Sequence, residues 1–361
     1  MRREARPQLS IRGTPPRRHT ALVCLAGGLS LAILGALVSR EPVPRGDDAI
    51  YEAMAQHPFA THSFPFGYRF GLPWIVHVLP FNHTFSFQLL ACLAAAGAAG
   101  YSFLLITSFD VEERLAGAMA VLMCVSPPFL IVAIRNGRNT DIVTVLFLMA
   151  GAYYLVRREH GKLAITLLLG AAFREAVLFL IPLAYAVWAT RVVDRRALVR
   201  TALVAAPAVA AYLAIRLGVQ TIGEAQVPGY GGSLVSERFT VIRDGLRSPF
   251  QEGRRMFTVF GPLWLLAPLA LRDMRYARRG LVLVLMSLVA MTFALDWGRM
   301  ILLAAPVFYP AAAHVLDAHR RWWLPTLLAG VALIGGYAIY MDRRGVRTGI
   351  IENPLPPYPV R

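Results

Sequence analysis

Long uncharged apolar runs alternate with short polar links along most of the chain. The first runs from Thr20 to Ser39, 20 residues without a charge. A helix of that length crosses a hydrocarbon core of about 30 Å. It exceeds the apolar segment of a signal peptide, about 7–15 residues, so it reads as an uncleaved anchor. Further runs follow at about 85–107, 115–134, 141–156, 163–173, 176–190, 201–217, 257–271, 280–295, 300–316 and 322–340. The pattern predicts an all-α polytopic membrane protein with about eleven transmembrane helices.

The stretch 163–190 reads in two ways. As one long helix it carries Arg174-Glu175 at its middle, leaves ten spans and inverts everything downstream. As two short helices meeting at Arg174-Glu175, it keeps that ion pair out of lipid, where it is costly. The second reading gives eleven spans and is preferred here. It also gathers the chemically interesting loops on one face.

The polar segments divide the rest. Residues 1–19 form a basic tail, with Arg17 and Arg18 at the first span placing the N-terminus in the cytoplasm. Residues 40–84 form a large first outer loop rich in aromatic, acidic and histidine residues. Within it, Gly71–Pro80 is too short to span and is expected to lie in the membrane plane or dip where protein covers it. A second large outer loop covers 218–256, and the tail 341–361 lies outside as extended chain. The body of the protein is therefore 20–340, without a soluble domain or internal repeat.

Composition sharpens this picture. The chain has 361 residues, 57% hydrophobic and only 16% charged. Soluble domains carry about 25% charged residues, so an ordinary cytosolic enzyme and a disordered chain are excluded. The net charge of +16 comes from Arg clusters in alternate links (Arg157-Arg158, Arg191 to Arg200, Arg272 to Arg279, Arg320-Arg321). They read as orientation signals rather than a nucleic-acid surface. The three cysteines sit inside apolar runs and offer no disulfide framework or zinc spacing.

Candidate chemistry concentrates on the outward side: Asp47-Asp48, Tyr68-Arg69, the segment to Asp141, Arg174-Glu175 and Asp296-Trp297-Gly298-Arg299. Ionisable groups at membrane depth are functional candidates by default. Aspartate beside arginine suggests an acid/base group with a clamp for phosphate. Each also has a plainer reading: helix caps for Asp47-Asp48 and Asp141, a snorkelling Arg69, and local pairs Arg174–Glu175 and Asp296–Arg299. His57, His62, His77 and His83 share the first loop with Asp47 and Asp48, but lack the spacing of a metal site. No cofactor is called for; a divalent metal stays open. Asn82-His83-Thr84 matches a glycosylation sequon, a motif common by chance.

The stretches Gly46-Asp47-Asp48-Ala49-Ile50-Tyr51, Tyr68-Arg69-Phe70-Gly71-Leu72-Pro73, Asn139-Thr140-Asp141, Phe173-Arg174-Glu175 and Asp296-Trp297-Gly298-Arg299 resemble the integral-membrane glycosyltransferases of the C-type fold (GT-C). The resemblance covers most of the first 320 residues. It implies a polyprenyl-phosphate sugar donor, a glycan, lipid or protein acceptor in the cell envelope, and an inverting transfer within the plasma membrane. By it, Asp47 or Asp48 serves as general base. Arg69, Arg299 and Arg174 hold the donor phosphate. Tyr51, Tyr68 and Trp74 bind sugar or isoprenoid, with Asp141, Glu175 and Asp296 nearby in the substrate site. The chain departs from the pattern in two ways. It lacks the C-terminal soluble domain many members carry, and it has Asp-Asp where the protein mannosyltransferases have Asp-Glu. A multi-pass transporter or flippase for a lipid or small solute is the competing class, and a non-catalytic scaffold a third.

Overall fold

The computed structural model describes residues 17–37, 47–63, 66–126, 129, 137–219, 221–222, 256–291 and 297–343. Asp296, most of the loop 218–256 and the tail beyond 343 lie outside these. The described chain is all-helical. Its α-helices are α1 (Arg17–Leu37), α2 (Asp47–Gln56), α3 (Gly71–Val78), α4 (His83–Thr107), α5 (Glu113–Cys124), α6 (Asp141–Arg157), α7 (His160–Phe173), α8 (Leu180–Trp188), α9 (Arg195–Gly218), α10 (Leu263–Leu266), α11 (Arg275–Met291), α12 (Trp297–Ile301), α13 (Ala305–Ala318) and α14 (Trp323–Arg343). The extended structure among the described residues is one short parallel pairing of His62–Ser63 with Thr221–Ile222.

Three stretches are long and apolar enough to cross a membrane: His83–Thr107, Arg195–Gly218 and Gly298–Ala318. Their surroundings differ. Helix α4 lies centrally, packed against α1, α5, α6 and α13, and the alanines at 91, 94, 95, 98 and 99 let its neighbours approach closely. A Cβ built on Gly27 of α1 would stand 2.7 Å from that of Ala99. Helix α13 is the most enclosed of the three, with every residue from Ala305 to Ala313 buried. On the rim the order is reversed. Leu22, Leu25, Leu29 and Ile33 form an exposed stripe on α1, as do Leu281, Leu285 and Leu288 on α11. Large apolar side chains turned outward at helical spacing suit a hydrocarbon surround rather than water.

The stretch 163–190 is a hairpin. Helix α7 ends at Phe173, Arg174 is extended (φ −165°, ψ 137°), and a 3-10 turn (Glu175–Phe179) leads into α8. The chain doubles back here. A Cβ on Gly170 would lie 2.6 Å from Val177, and Leu163 and Leu180 both close on Gly151. At the open end of the hairpin, the ring of His160 meets that of Trp188 at 4.9 Å. One continuous helix would hold these pairs far apart.

The polar contacts sort to two ends of the bundle. One end holds His19–Glu113, Arg320–Glu112, His314–Asp273 and Lys162–Glu159. It also holds Asp194, whose carboxylate caps α9 by accepting from the N–H groups of Arg196 and Ala197. The other end holds α2, α3, the hairpin turn at Arg174 and α12. There the sequon residue Asn82 serves as the cap of α4, its Oδ1 accepting from the N–H of Phe85 at 2.8 Å.

Candidate functional site

At this second end, four segments distant in sequence converge through their charges. Asp47 and Asp141 are the first residues of α2 and α6. The partial positive charge at a helix N-terminus favours a carboxylate there. Arg299 of α12 joins them. Its Nη1 donates to Asp47 Oδ2 and to Asp141 Oδ2, both at 3.2 Å, and its Nη2 donates to Asp47 Oδ2 at 3.2 Å. The other oxygen of Asp141 is in contact with Arg174 from the hairpin turn. Arg174 also places Nη2 3.9 Å from the sulfur of Met300.

A second set flanks the first. Arg69 donates from Nε to Glu175 Oε2 at 3.1 Å and touches Oε1 with its Nη2. Its Nη1 lies 3.5 Å from the Tyr51 hydroxyl, which stands 3.3 Å from Thr140 Oγ1. Burial opposes the Arg69 charge, but the Glu175 carboxylate and the Tyr51 hydroxyl outweigh it and hold that guanidinium above its ordinary range. Burial likewise disfavours the charge on Glu175. Arg69 overrides it and brings the carboxyl down to about 2.

Exposure divides the network. The side chains of Asp141 and Arg174 are 2% and 6% exposed, whereas those of Asp47 and Arg299 are 24% and 19% exposed. Asp141 and Arg174 form a dry foundation, and Asp47 with Arg299 forms its wet edge. A third link braces α2 from behind. Arg138 donates from Nε to Glu52 Oε2 at 2.6 Å and from Nη2 to Thr84 Oγ1 at 2.9 Å.

The sequence candidates therefore fall into three groups. Asp47, Tyr51, Arg69, Asp141, Arg174, Glu175 and Arg299 are brought together. Arg174 and Glu175 each bond to a distant partner, and the Asp141 carboxylate turns to arginines rather than capping its own helix. The first α6 N–H is met by Asn139 Oδ1 at 3.2 Å. Asp48 is buried, on the α2 face that carries Tyr51 and Ala55. Tyr51 is itself buried, edge-on to Phe66, and so offers no open ring face to a sugar. Tyr68 lies under the guanidinium of Arg216 at 4.0 Å. Trp74 is half exposed on α3, outside the charge network. Asp296 lies outside the described residues.

Sequence reasoning missed Thr140 as the partner of Tyr51, and the Glu52–Arg138 brace. Nothing in the local pattern pairs residues 86 positions apart. No group of three or more metal-ligating side chains occurs among the described residues. In sequence comparison, no protein-family model and no curated protein matches the chain.

Proposed function

We propose that this chain is an integral-membrane glycosyltransferase of the C-type, transferring a sugar from a polyprenyl-phosphate donor to an envelope glycan, lipid or protein. In this reading eleven helical elements cross the plasma membrane. The N-terminus is cytoplasmic, and the end bearing Asp47 and Arg299 faces outward. The observation that carries the proposal is the bridge of Arg299 between Asp47 and Asp141. It sets a carboxylate beside a guanidinium at a partly open helix end, where a lipid phosphate at the membrane surface can reach both.

The chemistry follows from the two groups. Asp47 accepts the proton of the acceptor hydroxyl as its oxygen attacks the anomeric carbon. The bond from that carbon to the phosphate oxygen breaks, and its electron pair stays with the lipid phosphate. Arg299 stabilises the charge gained there. Arg174 is nearly enclosed and engaged with Asp141. It serves by fixing that carboxylate rather than by touching the donor. Arg69 and Glu175 hold the first loop against the hairpin turn and so set the position of Asp47.

The test is rescue of a deletion strain, with lipid-linked sugars and envelope glycans measured by mass spectrometry. Wild type is expected to clear one accumulated prenyl-phosphate sugar and restore one glycan residue. Asp47→Asn, expressed and inserted to the same level, should lose transfer by about a hundredfold or more, the usual worth of a general base. Full rescue by Asp47→Asn would remove the base assignment. Unchanged lipid-linked pools in the deletion strain would remove the transferase reading.

A further inference from the structure

In the proposed site one oxygen of the base is already engaged. Arg299 gives two hydrogen bonds to Asp47, and both come to one oxygen, Oδ2. That oxygen, the one on the side of the phosphate-binding guanidinium, is poorly placed to receive a hydroxyl proton while it is so engaged. The guanidinium is also the group best placed to meet a phosphate, since it and Asp47 are the solvent-touching half of the network. One arginine thus faces two anionic claimants.

We propose that donor binding unlocks the base: the phosphate anion takes Arg299 away from Asp47 while Arg174 keeps Asp141 in place. This rests on the glycosyltransferase reading and adds a regulation of the same site. The asymmetry of the bridge decides which carboxylate yields. Asp141 has a second cation, Arg174, in contact with its other oxygen, and both are nearly dry. Breaking that pair would strand a buried charge, which is costly. Asp47 is partly open to water, which solvates it when Arg299 turns. The exchange therefore runs on the wet side, and Asp141 stays as the fixed point on which Arg299 pivots.

The consequence is an order of events. While Arg299 lies on Asp47, Oδ2 is held and does not activate a hydroxyl or water on the guanidinium side. With the phosphate bound, Arg299 lies on the leaving group and the freed carboxylate lies beside the anomeric carbon. After transfer the lipid phosphate leaves, and Arg299 returns to Asp47. No further reactant is needed, since the proton passes from the acceptor hydroxyl to Asp47 and then to water.

The gate makes an unusual claim about binding. Removing the Asp47 charge abolishes transfer, yet it removes a competitor for Arg299. Purified protein in detergent is titrated with farnesyl phosphate by calorimetry. Asp47→Asn and Asp47→Ser, the second keeping a good helix-starting side chain, are expected to bind roughly two- to fivefold tighter than wild type, the worth of a partly exposed ion pair. In an Arg299→Gln background the gain should vanish, because no shared arginine remains. Equal or weaker binding by both Asp47 variants, or a gain that persists without Arg299, overturns the gate and leaves the transferase reading standing. No binding by wild type or any variant removes the lipid-phosphate reading, and the gate with it.

Discussion

At the end of the bundle that bears Asp47 and Arg299, each charged side chain is defined by how much water it keeps. Asp141 and Arg174 are nearly dry, and their mutual attraction, with the Arg299 hydrogen bond to Asp141, offsets their desolvation. Glu175 is 36% exposed and paired with Arg69, a contact that joins the first loop to the hairpin turn. Its carboxyl is brought down to about 2, from about 4.3 in an unfolded chain. The native state therefore binds this proton less readily than the unfolded state. The stabilisation from the pair is complete above about pH 4.3 and is lost as the pH falls through about 2. Thermal unfolding in detergent checks this. Glu175→Gln should melt below wild type near neutral pH, and the gap should close as the medium is acidified toward about pH 2. A gap that stays constant across that range would mean the carboxylate charge contributes nothing.

At the scale of elements, short helices carry Asp47 and Arg299, and long ones carry the scaffold. Helix α2 has 10 residues and α12 has 5. An isolated helix as short as α2 is marginal, and α12 is the first turn of the longer stretch Gly298–Ala318, so their ends need outside contacts to be positioned. Ion pairs to each other, to α6 and to the segment before α6 help to fix them, with buried side chains such as Tyr51 and Met300. The hairpin is the critical joint, because its turn presents Arg174 to Asp141 and Glu175 to Arg69. Its two arms meet at Gly170 and Val177, where a Cβ would come within 2.6 Å of a β-branched side chain with little freedom to move. Gly170→Ala should destabilise the protein by about 1–3 kcal/mol, the usual cost of overpacking, read as a lowered melting temperature. Gly161, on the same helix with open space around its Cα, is the control. Gly161→Ala should be neutral or slightly stabilising. Equal tolerance at both sites would show that the arms separate without cost.

Across the whole molecule, in the proposed membrane topology, the hairpin sets which way every later segment faces. Phe59 and Val192 are both highly exposed, Phe59 beside α2 and Val192 just beyond α8. With eleven spans they lie on opposite sides of the membrane; with 163–190 as one span they share a side. Cysteines 24, 92 and 124 are first replaced by alanine, then Phe59→Cys or Val192→Cys is added. A membrane-impermeant maleimide should label the Phe59→Cys protein in intact host cells. The Val192→Cys protein should react only after permeabilisation. Labelling of both in intact cells would restore the single-span reading and invert the downstream half.

Much of this was legible in the amino-acid order alone. Apolar run length and the scarcity of charge determine an all-helical chain with membrane-compatible helices, because lipid leaves helices as the way for such runs to satisfy their backbone groups. The positions of Asp47, Arg69, Asp141, Arg174 and Arg299 also stand out, since each is an ionisable residue beside an apolar run. Sequence could not choose between Asp47 and Asp48. One residue is about 100° of helix rotation, and only packing decides that Asp48 is buried while Asp47 meets Arg299. Nor could it find partners. Arg174–Glu175 reads as a neighbouring pair, yet the fold gives Arg174 to Asp141 and Glu175 to Arg69. Side-chain periodicity reports which face of an element is apolar; it carries no information on which distant face lies opposite. The contact of residues 47 and 299 exists because separate helices end at the same depth, and that depends on how the bundle packs.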